Sequence, residues 1–351
     1  MPDKYYDYVF ITNVPSFYKI NLFNELAKRI KIKVIFISDS SVIRNEDFIS
    51  RDIYFEHVVI NDIPFEKRDK GKTLLKIIKD LKRISYKNLI YPGWEIIELM
   101  FLAFIIPKKK NGIVIESSIL ETKSTGLPWL IKRVFMSRMS KAFPSGELQK
   151  EILEKANFKG KIFETHGVGI LSKNFTTAQV DPKVESAENL SYIYVGRLSA
   201  EKNVSELIDT FNNVENILYV VGEGPLSEEL KTKSKKNIIF LGHVNNSELD
   251  QVYKRADVFI LPSRSEPWGL VVEEALSCRL PLIISDRVGC KNDLVLALKA
   301  GIVFSLSPGG KTMLDAIHEM NLHFSTYKDV VNQIDLSQLE DKKVTVYLDA
   351  V

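Results

Sequence analysis

The chain is poor in features that mark exported, membrane-spanning or metal-binding proteins. Its 351 residues include two cysteines, Cys278 and Cys290, and neither has a histidine at metal-ligand spacing. A disulfide is one alternative, but two buried reduced thiols in a cytoplasmic protein fit such sparse cysteine better. The longest uncharged apolar run, Leu99 to Pro107, falls far short of the about 20 residues that span a bilayer. The amino-terminal stretch lacks the pattern of a signal peptide, so we expect neither export nor a transmembrane helix.

Charge of one sign is also scarce. The 48 Lys and Arg residues against 45 Asp and Glu give a formal net charge of +3, too small an excess to indicate nucleic-acid binding. The basic residues cluster in the first half, at 67–87, 108–110 and 132–141. These clusters form either a solvated face or a surface that meets anionic lipid, where each basic residue contributes about 1 kcal/mol. We expect a cytoplasmic protein, with peripheral contact at the inner face of the membrane as the second option.

Strands and helices alternate along the whole chain. In the first half a strand at 8–12, a helix at 19–29 and a strand at 33–37 form a βαβ opening, and the alternation continues to a strand at 161–164. The second half repeats the same unit, with predicted strands at 190–195, 217–221, 238–241, 258–261, 281–284 and 302–304. The pattern predicts an α/β fold with two doubly wound parallel sheets. We place the domains at 1–170 and 171–324, joined by the polar stretch 172–189.

A polar hinge lies between two apolar runs, Val258 to Leu261 and Leu280 to Ile284. Both runs read as buried parallel strands. Pro267 suits the first position of a helix, so we predict that a helix begins there with its first amides free to face a ligand. Two carboxylates mark this segment, Glu266 and Glu274. Taken alone, Glu266 could simply cap the helix, and Glu274 could be a solvated charge on its outer face.

The combination is more specific, because Ser263, Glu266, Gly269, Glu274 and Ala275 follow one buried strand in this order. The segment resembles the Glu-x7-Glu signature of the retaining GT-B glycosyltransferases of family 4, the group 1 glycosyltransferases. The resemblance implies two Rossmann-like domains facing a central cleft. It also implies that Glu266 hydrogen-bonds the donor sugar as a catalytic residue and that Glu274 binds the ribose of the nucleotide. One departure is an arginine, residue 279, where the family has glycine after the helix.

A second segment carries fixed cations. Residues 196–203, GRLSAEKN, match the family motif Gly-Arg-Leu-x-x-x-Lys, and the resemblance assigns Arg197 and Lys202 to catalysis. A forked guanidinium and a compact ammonium in one turn can together neutralise a diphosphate without a metal ion. The alternative is an exposed basic turn. The sequence contains no Asp-x-Asp motif, so we expect neither a metal nor another cofactor.

The remaining candidates rest on single signals. The glycines around Glu223 permit close backbone approach to a ligand, and in the family the loop at 242–244 lies beside the nucleotide base. The predicted donor-binding set is therefore Gly196, Glu223, Gly242, His243, Val244, Pro267, Trp268, Gly269, Leu270 and Glu274. On the acceptor side the candidates follow predicted strands of the first domain, and they are Asn13, Ser16, Glu116 and Ser118.

We interpret the chain as a retaining glycosyltransferase. It would move a sugar from a UDP- or GDP-linked donor to a hydroxyl of a glycan or a lipid-linked acceptor, as in the synthesis of surface polysaccharides. One alternative is a non-catalytic subunit of GT-B fold that binds a glycan or a partner protein. A further alternative is another enzyme of the same fold, either a nucleotide-sugar epimerase or a phosphorylase. The resemblance also implies that a last helix, at about 325–351, returns to complete the first domain.

Overall fold

The chain folds into two compact α/β units. A computed structural model describes residues 4–43, 48–171 and 190–351. The first unit comprises Met1–Ser172 with Ser337–Val351, and the second comprises Lys173–Leu336. The linker predicted at 172–189 lies outside the described residues. Each unit contains one sheet in which every strand pairing is parallel, which confirms the predicted class.

The sheet of the first unit has seven strands. In chain order they are β1 Tyr5–Thr12, β2 Ile32–Ser38, β3 Glu56–Asn61, β4 Ser85–Tyr91, β5 Asn111–Ile115, β6 Lys141–Pro144 and β7 Lys161–Ile162. Their order across the sheet is β3-β2-β1-β4-β5-β6-β7. The central strands are almost wholly buried, as expected for a parallel sheet covered on both faces.

Helices cover both faces of this sheet. In chain order they are α1 Phe17–Ala27, α2 Lys70–Leu81, α3 Ile97–Ile105, α4 Gly126–Met136 and α5 Glu147–Lys155. Residues from α2 to α5, such as Leu102 and Phe135, share one hydrophobic core. Phe23 of α1 belongs to a second core on the other face. This division follows from right-handed crossovers, because the chain moves one way from β1 to β2 and the other way from β4 to β6.

The second unit repeats this architecture with six strands. They are β8 Ser191–Val195, β9 Ile217–Val221, β10 Ile238–Gly242, β11 Val258–Leu261, β12 Leu282–Ser285 and β13 Gly301–Phe304. Their order is β10-β9-β8-β11-β12-β13, the doubly wound arrangement. The helices of this unit are α6 Val204–Phe211, α7 Ser227–Lys233, α8 Leu249–Tyr253, α9 Leu270–Ser277 and α10 Met313–Gln333, with a π-helical turn at Lys291–Leu296.

The last helix, α11 Leu336–Asp349, packs on the first unit. Its Tyr347 lies in the core that contains Phe10 and Phe143. The ring of Tyr347 stacks on Phe143 with 4.7 Å between centroids, and its carbonyl accepts a hydrogen bond of 2.8 Å from the Tyr8 hydroxyl. The chain's last turn therefore completes the core of the unit in which the chain begins. Within the described ranges, no helix has both the length and the apolar character needed to cross a membrane.

One predicted helix start was wrong, and one strand was not predicted. The helix predicted from Pro267 begins at Leu270, with Gly269 as its N-cap. Serine is a common N-cap residue, yet the N-cap of α5 is Gly146, and the hydroxyl of the preceding Ser145 donates to the carbonyl of Ile115. Strand β3 was missed because an edge strand carries exposed polar residues and therefore lacks a buried apolar run.

Candidate functional site

The two motif segments meet at the carboxyl edge of the second sheet. Strands β8 and β11 are neighbours, yet the chain leaves β8 towards β9 and leaves β11 towards β12, in opposite directions. Such a switch point opens a crevice outside the carboxyl ends of the strands, where open α/β sheets bind ligands. The loop at 196–203 follows β8 and the loop at 262–269 follows β11. Topology thus places both motifs in the position that suits a ligand.

The loop after β8 is held by local bonds. The buried Tyr194 hydroxyl donates to the carbonyl of Arg197 at 2.9 Å, while the Arg197 side chain is exposed. A short 3-10 turn then ends at Lys202, and Asn203 follows in the left-handed region with φ 57°. Asparagine tolerates this conformation better than most residues. The turn therefore fixes the backbone from which Lys202 projects.

Two of the predicted catalytic residues form an ion pair. The Lys202 ammonium donates to Oε2 of Glu266, and both side chains are mostly buried. The loop that carries Glu266 is tied on both sides, because its Arg264 amide donates to the carbonyl of Glu201 at 2.8 Å and the Gly289 amide donates to the carbonyl of Glu266 at 2.9 Å. Gly269, not Glu266, occupies the N-cap of α9. Glu266 is therefore a rigidly placed partner of Lys202 rather than a helix cap.

Glu274 lies on α9 with its side chain buried, so the interpretation as a solvated charge was wrong. The Tyr253 hydroxyl donates to its Oε2 at 2.9 Å. Burial raises the pKa of Glu274 to about 7, against the lowering effect of the Tyr253 bond. Burial and the neighbouring Glu274 also raise the pKa of Tyr253 well above its ordinary value. A buried carboxyl with such a pKa is typical of functional sites, although structural networks also produce it.

Glu273 was missed by the sequence analysis. It is buried, and its carboxylate accepts a hydrogen bond from the indole nitrogen of Trp268, which is buried too. This bond closes the turn at Gly269, whose φ of 107° is accessible mainly to glycine. The available signal was a second acidic residue beside Glu274 in the stretch from Leu270 to Leu276, which is otherwise apolar. Pro267 is exposed and Leu270 half-buried at the same turn.

The glycines in the turn after β9 allow close packing against the backbone of a neighbouring loop. A Cβ at Gly222 would lie 2.1 Å from the carbonyl oxygen of Gly196, and one at Gly224 would lie 2.4 Å from that of Leu198. The Leu198 amide donates to the carbonyl of Glu223 at 3.0 Å. The glycines therefore let this turn pack directly on the loop after β8.

The other predicted donor-side residues lie close by. The Gly222 amide donates to the carbonyl of Gly242 at 2.7 Å, so the loops after β8, β9 and β10 form one continuous edge. Glu223 and His243 are exposed there, and Val244 is half-buried. Their role in binding a donor remains a prediction.

The acceptor-side candidates occupy the carboxyl edge of the first unit's sheet. Glu116 follows β5 and pairs with Lys19 at 3.0 Å; Lys19 was not predicted, and its position in α1 gave no signal. Ser16 and Ser118 are both buried. Ser16 stands at the N-cap of α1 without a side-chain cap bond, and the carbonyl of Asn13 accepts a bond from the Ser38 amide. The structure brings these residues to one edge but assigns them no ligand.

Solved structures with the same architecture identify the fold. Sucrose-phosphate synthase from Thermosynechococcus elongatus aligns over 99% of both chains with a TM-score of 0.70 and 14% identity. Anabaena HepE, in complex with UDP-glucose, aligns over 98% of this chain and 99% of its own, with a TM-score of 0.69 and 15% identity. At such low identity the likeness shows the fold alone, which is the GT-B fold.

Sequence comparison shows which family the second half of the chain resembles. Residues 177–316 match the sequence model of the glycosyl transferases group 1. A curated relative, the sulfoquinovosyl transferase SQD2 of Arabidopsis thaliana, is 36% identical over 120 residues, which is 33% of this chain and 23% of that protein. The chain thus matches less than a quarter of that relative's length. The match lies within the second unit, and it confirms the resemblance inferred from the motifs of that unit.

Proposed function

We propose that this chain is a retaining glycosyltransferase that moves a sugar from a nucleotide-diphosphate donor to a hydroxyl group of an acceptor. One observation carries the proposal: Lys202 and Glu266 are joined at the switch point of the second sheet, in the order that the group 1 motifs prescribe. Glu274 lies on the helix that follows. A cation for the diphosphate, an acceptor for sugar hydroxyls and a carboxylate for the ribose are thus available on one edge.

Negative charge on the leaving diphosphate is neutralised by protein groups in this proposal. Lys202 and Arg197 supply two cations from one loop, and the amides at the start of α9, after Gly269, supply oriented dipoles. A diphosphate bound at this edge would contact Lys202, which also pairs with Glu266. The carboxylate oxygens of Glu266 could then accept hydrogen bonds from the sugar. No metal ion or other cofactor is needed for this step.

Retention of configuration follows from the family resemblance. The bond between the anomeric carbon and the phosphate oxygen breaks, and the acceptor oxygen bonds to the same face of the sugar. The acceptor's proton passes to the departing phosphate, so no protein nucleophile is required. The UDP-glucose complex of HepE supports a UDP-linked donor over a GDP-linked one. The basic clusters of the first unit support contact with anionic lipid. A cytoplasmic protein at the inner face of the membrane would there meet a glycan or lipid-linked acceptor.

The donor site is tested by thermal unfolding with UDP, GDP, ADP or CMP in the presence of EDTA. A ligand at about 100 times its Kd stabilises the native state by about 2.7 kcal/mol. Lys202→Ala should abolish the shift. The matched control is Lys231→Ala, which removes a lysine from an exposed Lys-Glu pair on α7 and should leave the shift unchanged. If no nucleoside diphosphate stabilises the wild type, the donor site is refuted and the non-catalytic subunit becomes the better interpretation.

The stereochemistry needs its own measurement. Once a donor and an acceptor are found, NMR of the early product gives the configuration at the anomeric carbon. A product with the donor's configuration supports retention. An inverted product would leave the glycosyltransferase assignment intact and refute the retaining mechanism.

A further inference from the structure

Helix α3 is apolar on both sides. Four large side chains on its outer side, Ile97, Phe101, Phe104 and Ile105, are between 51% and 62% exposed. Their spacing of four, three and one residues places them on one stripe of the helix. The opposite side packs into the core of the first unit. The exposed stripe is therefore additional to the apolar surface that the fold requires.

Helix α4 repeats this arrangement. Leu127, Leu130, Ile131 and Val134 follow one another at helical spacing and are between 46% and 69% exposed. Trp129 and the end of the helix supply the buried side. Two neighbouring crossover helices thus each carry a second apolar stripe, whereas single exposed apolar residues are normal on any protein.

The two stripes belong to one surface. Helix α3 connects β4 to β5 and α4 connects β5 to β6, so right-handed crossovers place both helices side by side on one face of the sheet. The guanidinium of Arg138, just beyond α4, lies 5.4 Å from the ring centroid of Phe104. The Lys132 ammonium lies 4.9 Å from the ring centroid of Trp94, just before α3. We call the eight exposed apolar side chains of these helices the α3–α4 face.

Positive charge surrounds the α3–α4 face. Residues 94–140 include seven lysines and arginines but four glutamates. Two of those glutamates are already paired within the unit, Glu98 with Arg68 and Glu116 with Lys19. Lys108 and Lys109 are exposed directly beyond the end of α3. The apolar face is therefore bordered by an excess of cations.

We infer that the α3–α4 face docks on an anionic lipid bilayer. Apolar side chains that project from two surface helices can enter the boundary between headgroups and acyl chains, while basic residues around them bind anionic headgroups. A second copy of the chain fits less well, because two basic borders would then face each other. An uncharged partner would leave the cations without complementary charge. Anionic lipid satisfies both the apolar and the charged part of this surface.

The position of the face also suits the proposed function, on which this one step rests. Helices α3 and α4 begin at the carboxyl edge of the first sheet, with Ile97 and Leu127 in their first turns. The acceptor-side candidates Glu116 and Ser118 lie in the loop that precedes α4. Docking would hold this edge at the membrane surface, where a lipid-linked acceptor presents its hydroxyl.

The test is flotation of the full chain with vesicles of phosphatidylcholine, or of phosphatidylcholine with about 30% phosphatidylglycerol. The variant F101E/L130E places two negative charges on the α3–α4 face. Both side chains are exposed, so the fold should be kept, as circular dichroism can verify. The control L296E/L322E changes two exposed leucines of the second unit, which are 54% and 78% exposed. Binding needs no turnover, and the UDP-induced thermal shift of each variant reports separately on the donor site.

The wild type and the control should bind anionic vesicles, and F101E/L130E should lose binding by at least about tenfold. Neutral vesicles should bind the wild type more weakly, and salt should weaken anionic binding. The inference is overturned if the wild type does not float with anionic vesicles, or if F101E/L130E floats as well as the control does. It is also overturned if the wild type is a dimer by light scattering and F101E/L130E is a monomer, because the face would then join two copies.

Discussion

Replacement of Glu274 by glutamine should stabilise the protein at alkaline pH. The buried carboxyl has a pKa of about 7 in the folded chain, compared with the ordinary 4.5. Glutamine has nearly the same shape, and its carbonyl oxygen can still accept the bond that the Tyr253 hydroxyl donates to Glu274 at 2.9 Å. The substitution therefore removes a buried negative charge while the hydrogen bond is retained.

The sign and size of the effect follow from linkage. Because the folded chain binds this proton more tightly than the unfolded chain, the associated stability is fully present below pH 4.5 and is lost as the pH rises through about 7. At about 1.4 kcal/mol for each pH unit between the two pKa values, ionisation above pH 8 costs roughly 3 kcal/mol. Glu274→Gln avoids this cost. Its advantage over the wild type should approach that value above pH 8 and fall to about 1 kcal/mol at pH 5.

Thermal unfolding by circular dichroism between pH 5 and pH 8.5 measures the difference. For a domain of this size, each kcal/mol shifts Tm by about 2–4 °C, so the gap at high pH amounts to several degrees. Glu228→Gln, on the exposed surface of α7, is the matched control and should show a small gap at every pH. A Glu274→Gln variant that is less stable than the wild type at pH 8, or whose gap does not change with pH, would refute the reasoning.

The same substitution should weaken nucleotide binding. In the proposed function the ionised Glu274 accepts hydrogen bonds from the ribose, and hydrogen bonds to a charged group contribute about 1.5–3 kcal/mol. The variant should therefore gain intrinsic stability and lose most of the UDP-induced shift above pH 7. Opposite effects on stability and binding would distinguish a site residue from a structural one.

Three further predictions concern the second unit. Gly222→Ala should lower the free energy of unfolding in urea by more than about 3 kcal/mol, because its Cβ would lie 2.1 Å from the carbonyl oxygen of Gly196. Gly309→Ala is the control: it has open space around it and should cost about 1 kcal/mol. Arg279→Ala should be less stable than Arg279→Gly by about 1 kcal/mol, because residue 279 has a φ of 61°; equal stabilities would contradict this. Cys278 and Cys290 are buried thiols with raised pKa values, so neither should react with Ellman's reagent before unfolding.

The sequence predicted what depends on local pattern. Buried parallel strands are short apolar runs, and β9 and β11 were predicted with the boundaries that the structure shows. Motif spacing then placed Lys202 and Glu266 after two such strands, and parallel topology brings the ends of neighbouring strands to one edge. These two side chains pair because each follows a strand and the two strands are neighbours in the sheet. A sequence can indicate both the positions of the residues and the order of the strands.

The features that the sequence did not predict depend on contacts between distant parts of the chain. Pro267 suits the start of a helix, yet residue 266 forms a parallel bridge with Val288, and the Cys290 amide donates to the carbonyl of Trp268. These bonds keep the segment extended for three more residues, so tertiary structure overrides a local preference. Arginine at position 279 is another case. It occupies a glycine-like conformation while its guanidinium donates to the carbonyls of Val331 and Ile334.

The two acids of the Glu-x7-Glu signature lie in different environments, and the spacing alone does not indicate this difference. Glu266 is extended in a loop and has the Lys202 cation as its partner, so its negative charge is compensated where it stands. Glu274 is buried in a helix beside a tyrosine hydroxyl, and its charge is costly there. One environment stabilises a negative charge and the other destabilises it, so the two carboxylates are suited to different tasks in one site. The environment, rather than the residue type or the spacing, therefore supports assigning the reacting sugar to Glu266 and the nucleotide to Glu274.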